Sequence, residues 1–163
     1  MTSDTQVPLT TVRHSIVVEA SIDVAFKVFT EQFDRIKPRE HNLLDVEIAE
    51  TVFERRVGGY LYDRGIDGTE CRWARVLSYE PPRRLVISWD ISPHWQIGTD
   101  PEKTSEVEVR FVAEGEKRTR VRLEHRNLDR HGDHWRALRD GYCQRRWMPH
   151  YLHRFAGLFG SEA

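Results

Sequence analysis

The sequence predicts an α+β domain: a curved antiparallel sheet of about six to seven strands, covered on one side by helices, with the longest helix at the C-terminus. Three observations carry this. Period-two alternation of apolar and polar residues recurs from Val12 to His125. Only two stretches, one after Ser21 and one after His134, switch to a spacing of threes and fours. Short turn signals rather than long crossovers separate the alternating runs, which argues for antiparallel neighbours.

The first run, T-V-R-H-S-I-V-V-E, places Val12, His14, Ile16 and Val18 on one face and Arg13, Ser15 and Glu19 on the other, as a half-buried strand requires. Ser21 then suits an N-cap, with Asp23 in the first turn. Ile22, Ala25, Phe26, Phe29 and Phe33 follow at helical spacing and form one apolar stripe. Pro38 ends or turns the chain. From Leu43 the period returns to two. Gly58-Gly59 marks a turn or bulge before Tyr60-Leu61-Tyr62, and Asp67-Gly68 is the signal for a tight hairpin. The run Gly68–Trp89 reads as two strands split by Glu80-Pro81-Pro82, a corner because proline donates no ladder hydrogen bond. S-E-V-E-V-R-F-V and T-R-V-R-L-E-H form a further hairpin around Glu114–Lys117. The last apolar set, Trp135, Leu138, Tyr142, Met148, Leu152, Phe155 and Phe159, is helical, with a kink or restart expected where Pro149 interrupts it.

Residues 1–10 read as a flexible N-terminal tail and 11–160 as a single domain. The 25 basic and 26 acidic side chains leave a net charge of −1, which argues against nucleic acid or an anionic membrane as partner. Two cysteines, Cys71 and Cys143, make no disulfide framework and fit a reducing, cytoplasmic setting. The N-terminus lacks the basic start and apolar run of a signal peptide, and no apolar run approaches the ~20 residues of a membrane span.

The ordered set V-G-G-Y (Val57–Tyr60), D-G-T-E-C-R-W-A-R-V (Asp67–Val76), Y-E-P-P-R-R-L-V-I-S-W-D-I, S-E-V-E-V-R-F, V-R-L-E-H-R and the aromatic C-terminal helix resembles the START-like, or SRPBCC, superfamily. Within it, the chain looks most like the branch named after the activator of heat-shock-chaperone ATPase. The likeness covers roughly Val12 to Phe159. It departs from the branch's usual Gly-Trp helix start, since Arg146 precedes Trp147. The resemblance implies a helix-grip fold, in which the sheet wraps the C-terminal helix around a cavity for lipids, sterols, polyketides or other apolar molecules. It brings no catalytic residues with it.

No nucleophile elbow, P-loop or dinucleotide fingerprint occurs, so neither catalytic residues nor a cofactor are assigned. The pairs His131/His134 and His150/His153 lack an acidic third ligand and read as surface histidines rather than a metal site. The ligand-binding candidates are His14, Phe29, Trp73, Arg75, Trp89, Tyr142 and Trp147. Phe29, Tyr142 and the three tryptophans would supply walls. His14 is either a core histidine or a polar handle in the cavity. Arg75 points inward with Cys71 and Trp73 if the strand is regular, whereas a bulge after Trp73 turns Val76 inward and Arg75 out. Trp95 and Ile97 fit a loop that folds back as a lid. The first functional reading is binding of a small apolar or aromatic molecule. A cyclase- or hydrolase-like enzyme using His14 as base in the same cavity is the second, and a protein-interaction module the third. A homodimer is compatible with the sequence.

Overall fold

The computed structural model describes residues 10–37, 39, 42–91, 97–98, 100–132, 135–136 and 147–159, with backbone alone at 101 and 147–150. The expectations placed on the tail 1–9, on Pro38, Trp95, His134, Leu138, Tyr142, Cys143 and Arg146, and on the side chains of Trp147, Met148 and His150 lie outside the described residues. The described elements are β1 (Val12–Val18), α1 (Ile22–Glu31), α2 (Phe33–Ile36), β2 (Ile48–Phe53), β3 (Tyr60–Gly65), β4 (Glu70–Glu80), β5 (Arg84–Trp89), β6 (Ser105–Gly115), β7 (Arg118–Arg126) and α3 (Trp147–Gly157). Single 3-10 turns occupy Pro101–Lys103 and Leu128–His131.

The seven strands form one antiparallel sheet in the order β1-β7-β6-β5-β4-β3-β2. Six consecutive strands therefore meander, and β1 closes against the last of them as an edge. The expected turn chemistry is present. Ser21 caps α1 by accepting a hydrogen bond from Val24 N at 3.3 Å. Gly58 and Gly68 adopt φ of +87° and +88° at the β2–β3 and β3–β4 turns, a region that disfavours a β-carbon.

The apolar stripe of α1 lies against the sheet, with Phe26 and Phe29 meeting Phe111 of β6 at 5.1 and 5.7 Å between ring centroids. Phe29 also meets Phe155 of α3 edge-on at 5.2 Å, and Phe33 lies 6.0 Å from Tyr151. The helices are joined by polar contacts as well. Arg154 of α3 donates to the carbonyl oxygens of Arg35 and Ile36 at 3.0 and 2.9 Å, acceptors that the end of α2 leaves without partners of its own. The sheet's inner face, both short helices and α3 thus share one aromatic core. Phe155 is wholly buried within it. Replacing it with alanine is expected to cost about 3–5 kcal/mol, measured by urea denaturation; a loss under 1 kcal/mol would show that α3 does not close the core.

Candidate ligand site on the concave face

The site is organised by a bulge in β4. Leu61 pairs with Ala74 and Tyr62 with Arg72, which leaves Trp73 as the extra residue. Trp73 and Ala74 are consequently both buried, Val76 is inward at 1% exposure, and Arg75 turns to the other side. Of the two alternatives open for Arg75, the bulged one is realised. Its guanidinium makes a bidentate pair with Asp90, Nε to Oδ2 at 3.0 Å and Nη2 to Oδ1 at 2.8 Å, and also donates to Thr104 at 3.3 Å.

Trp73 stacks on Phe33 at 6.3 Å and meets Trp89 edge-on at 5.5 Å. Trp89 in turn lies 5.3 Å from the His125 ring. An aromatic wall therefore runs along the inner face from α2 to β5 and β7. Trp73 Nε1 is buried, and among the described residues no acceptor reaches it.

Two buried polar groups interrupt this wall. The first is an ion pair, Lys37 Nζ to Asp63 Oδ2 at 3.1 Å, with side chains 3% and 0% exposed. Thr51 Oγ1 donates to the other carboxylate oxygen at 2.7 Å, and the Lys37 ammonium lies 5.6 Å from the centre of the Trp73 ring. Burial pulls the lysine's proton affinity down, and the Asp63 charge partly restores it. Burial, together with Asp63, pushes the neighbouring Cys71 thiol up.

The second is a cluster around Ser105. Its hydroxyl lies 2.6 Å from His125 Nε2 and 2.7 Å from His131 Nε2, and its backbone N–H donates to His131 Nε2 at 3.2 Å. Burial lowers both histidines: His125, wholly buried, falls well below the usual imidazole range, and His131 falls to about 4.

The sequence-derived candidates separate under this geometry. Phe29, Trp73 and Trp89 are buried on the concave side. Arg75 is committed to Asp90. His14 is exposed rather than buried, which corrects the core-histidine alternative. It sits on edge strand β1, flanked only by β7, opposite the core residue Leu123, and lines a cleft of about 690 Å³ at the sheet edge with Arg13, Glu108, Arg122, Leu123 and Glu124. His131 is partly buried and accepts from Ser105. Three further residues were within reach of the period-two argument: Ser105 is in step with Val107 and Val109, His125 with Val121 and Leu123, and Asp63 with Leu61. Nothing in the local pattern pointed to Lys37.

The chain belongs to the family of activator of Hsp90 ATPase homolog 1-like proteins, whose profile matches residues 19–160. It is 40% identical to an anthrahydroquino-γ-pyrone synthase solved as a complex, over 93% of this chain and 99% of that one, with a TM-score of 0.62. It is 31% identical to CalC, a self-sacrificing resistance protein from Micromonospora echinospora, over 94% and 96% of the two chains, with a TM-score of 0.66. An Hsp90 activator from Plasmodium falciparum, 16% identical over 93% and 96% with a TM-score of 0.54, shares the fold. No curated protein matches significantly. These likenesses agree with the helix-grip architecture. Among the described residues, no helix is long and apolar enough to cross a membrane.

Two outcomes are expected. Removing one member of the buried ion pair, as in Lys37→Met, should cost about 3–5 kcal/mol, whereas Lys37→Met with Asp63→Leu should recover most of it; urea titrations of the single and double variants decide. The lowered histidines give the second. The unfolded chain binds their protons near the ordinary value of 6.5, and the folded chain binds the His131 proton only near 4. Stability conferred by neutral His131 is therefore complete above 6.5 and lost as pH falls from there to about 4. Melting temperature should drop across that window, and His131→Gln should flatten the slope; equal slopes would remove His131 as the cause.

Proposed function

We propose that the chain binds a flat, fused-ring molecule bearing hydroxyl and carbonyl oxygens between the concave face of the sheet and the C-terminal helix. One observation carries this reading: the buried Trp73 N–H, which meets no acceptor among the described residues. A buried donor left unpaired costs about 1–3 kcal/mol, and a ligand carbonyl oxygen would recover it. Trp73 and Trp89 present edge and face to such a ring system. Phe29 would back the wall, with Tyr142 and Trp147 as its further members. The anthrahydroquinone in the name of the 40% identical synthase has this chemistry. A cyclase-like reaction on the same ligand is the enzymatic form of this proposal.

A protein-interaction role draws less support. Among the described residues, the exposed large apolar side chains are Val24 on α1, Val57 and Ile66 beside the two ends of β3, Leu77 on β4 and Ile97 beyond β5, and only the turn at Val57 is hydrogen-bonded to the strand of another, through Gly58 N and Val76 O, short of a broad apolar patch. His14 stands exposed at the edge of the sheet, and Arg75 is held by Asp90, so neither serves the ligand in this reading.

Tryptophan fluorescence should be quenched saturably by alizarin, a dihydroxyanthraquinone. Trp73→Phe, which keeps an aromatic side chain of smaller size and removes the N–H, should weaken binding roughly tenfold, the equivalent of about 1.4 kcal/mol. Absence of saturable quenching would sink the ligand reading, and unchanged affinity in Trp73→Phe would sink the role of the indole.

A further inference from the structure

We propose that the cleft over β6, β7 and β1 binds a phosphate monoester, held between the guanidinium groups of Arg110 and Arg122. The site is on the outer face of the sheet, across from the aromatic wall, and does not depend on the ligand reading above.

Strand register sets three arginines in a row. Arg84 of β5 lies directly opposite Arg110 of β6, and Arg110 lies directly opposite Arg122 of β7. All three are out of step with the buried Leu85, Val109 and Leu123, so they project outward. Ser15 of β1 faces Arg122 and ends the row. Adjacent strands are roughly 4.8 Å apart, and like charges directly opposite one another destabilise a sheet. An anion between the members of each pair removes that cost.

The protein supplies such an anion in the first gap. Glu108 Oε2 accepts from Arg84 Nε and from Arg110 Nη2, the latter at 2.8 Å. The other oxygen of the same carboxylate accepts from Arg126 at 2.9 Å. Burial of Glu108 favours its protonation, but the three guanidinium groups outweigh it and hold the carboxyl below its ordinary range.

The second gap has no such bridge among the described residues. Arg122 forms no ion pair there. Its charge reaches Glu114 only at longer range, and Glu114 accepts from Arg120 at 2.7 Å. Glu124, which also lines the cleft, is held by Arg13 at 2.8 Å. Arg110 and Arg122 are both exposed, and the cleft of about 690 Å³ opens over them. An external oxyanion between them would repeat what Glu108 does between Arg84 and Arg110.

Phosphate suits this gap better than a carboxylate. Glu108 already divides one negative charge among three arginines, and Arg122 is uncompensated, so a dianion balances more of the excess than a monoanion. The three terminal oxygens of a monoester match the two guanidinium forks and the Ser15 hydroxyl. The cleft is far larger than one phosphate group and leaves room for the ester's organic part.

Calorimetric titration at constant ionic strength, with inorganic phosphate, methyl phosphate and acetate, tests the site. Both phosphates should saturate at one per chain, and acetate should bind at least about tenfold more weakly. Arg110→Gln and Arg122→Gln should each weaken methyl phosphate roughly tenfold. Arg118→Gln, on the same strand outside the cleft, should leave affinity unchanged. Because Arg110 and Arg122 are exposed, their variants should melt as the unmodified protein does without phosphate, and only the unmodified protein and Arg118→Gln should gain melting temperature when phosphate is added. Absence of saturable phosphate binding overturns the site. Equal affinity for acetate overturns the phosphate assignment, and equal losses in Arg118→Gln and Arg122→Gln overturn the bridge, since they mark diffuse attraction to a basic face.

Discussion

The extra residue in β4 is the constraint on which the concave site depends. A regular strand would have carried Trp73 and Arg75 on one face and delivered a guanidinium to an aromatic interior, at a desolvation cost of several kcal/mol. The bulge at Trp73 removes that conflict. It buries Trp73 and Ala74, brings Val76 into the core and sends Arg75 to Asp90. A bulge also bends its strand and increases local twist, and β4 carries a second irregularity between Val76 and Ser78. The strand that contributes the central tryptophan is thus also one that curves the sheet.

An interior built of rings makes the polar groups within it conspicuous. Lys37–Asp63 and the Ser105 cluster stand at two separate places on the same wall, and each is bonded to several partners. Their chemistry differs. The ion pair compensates two charges within an apolar setting and anchors the end of α2 to β3. The Ser105 cluster joins one hydroxyl and one backbone N–H to two imidazoles that burial keeps neutral near pH 7.

Much of this was legible from alternation and spacing. The aromatic stripe of α1, the cap at Ser21, the hairpin at Asp67-Gly68 and the proline corner follow from residue types whose conformational preferences are local. His125 and Ser105 were in step with buried neighbours, yet their partnership was invisible because they lie 20 residues apart in sequence and meet across β6 and β7. His14 shows the opposite failure. Its alternation matched a buried face, but alternation does not reveal that β1 is the edge of the sheet.

The sequence by itself determined the order and type of elements and the family, because periodicity, caps and turns depend on neighbours only a few positions away. Tertiary structure decided where Arg75 points, that Lys37 meets Asp63, and that Ser105 joins two histidines. Each of those outcomes depends on register and pairing between distant strands, where one added residue exchanges the inner face for the outer.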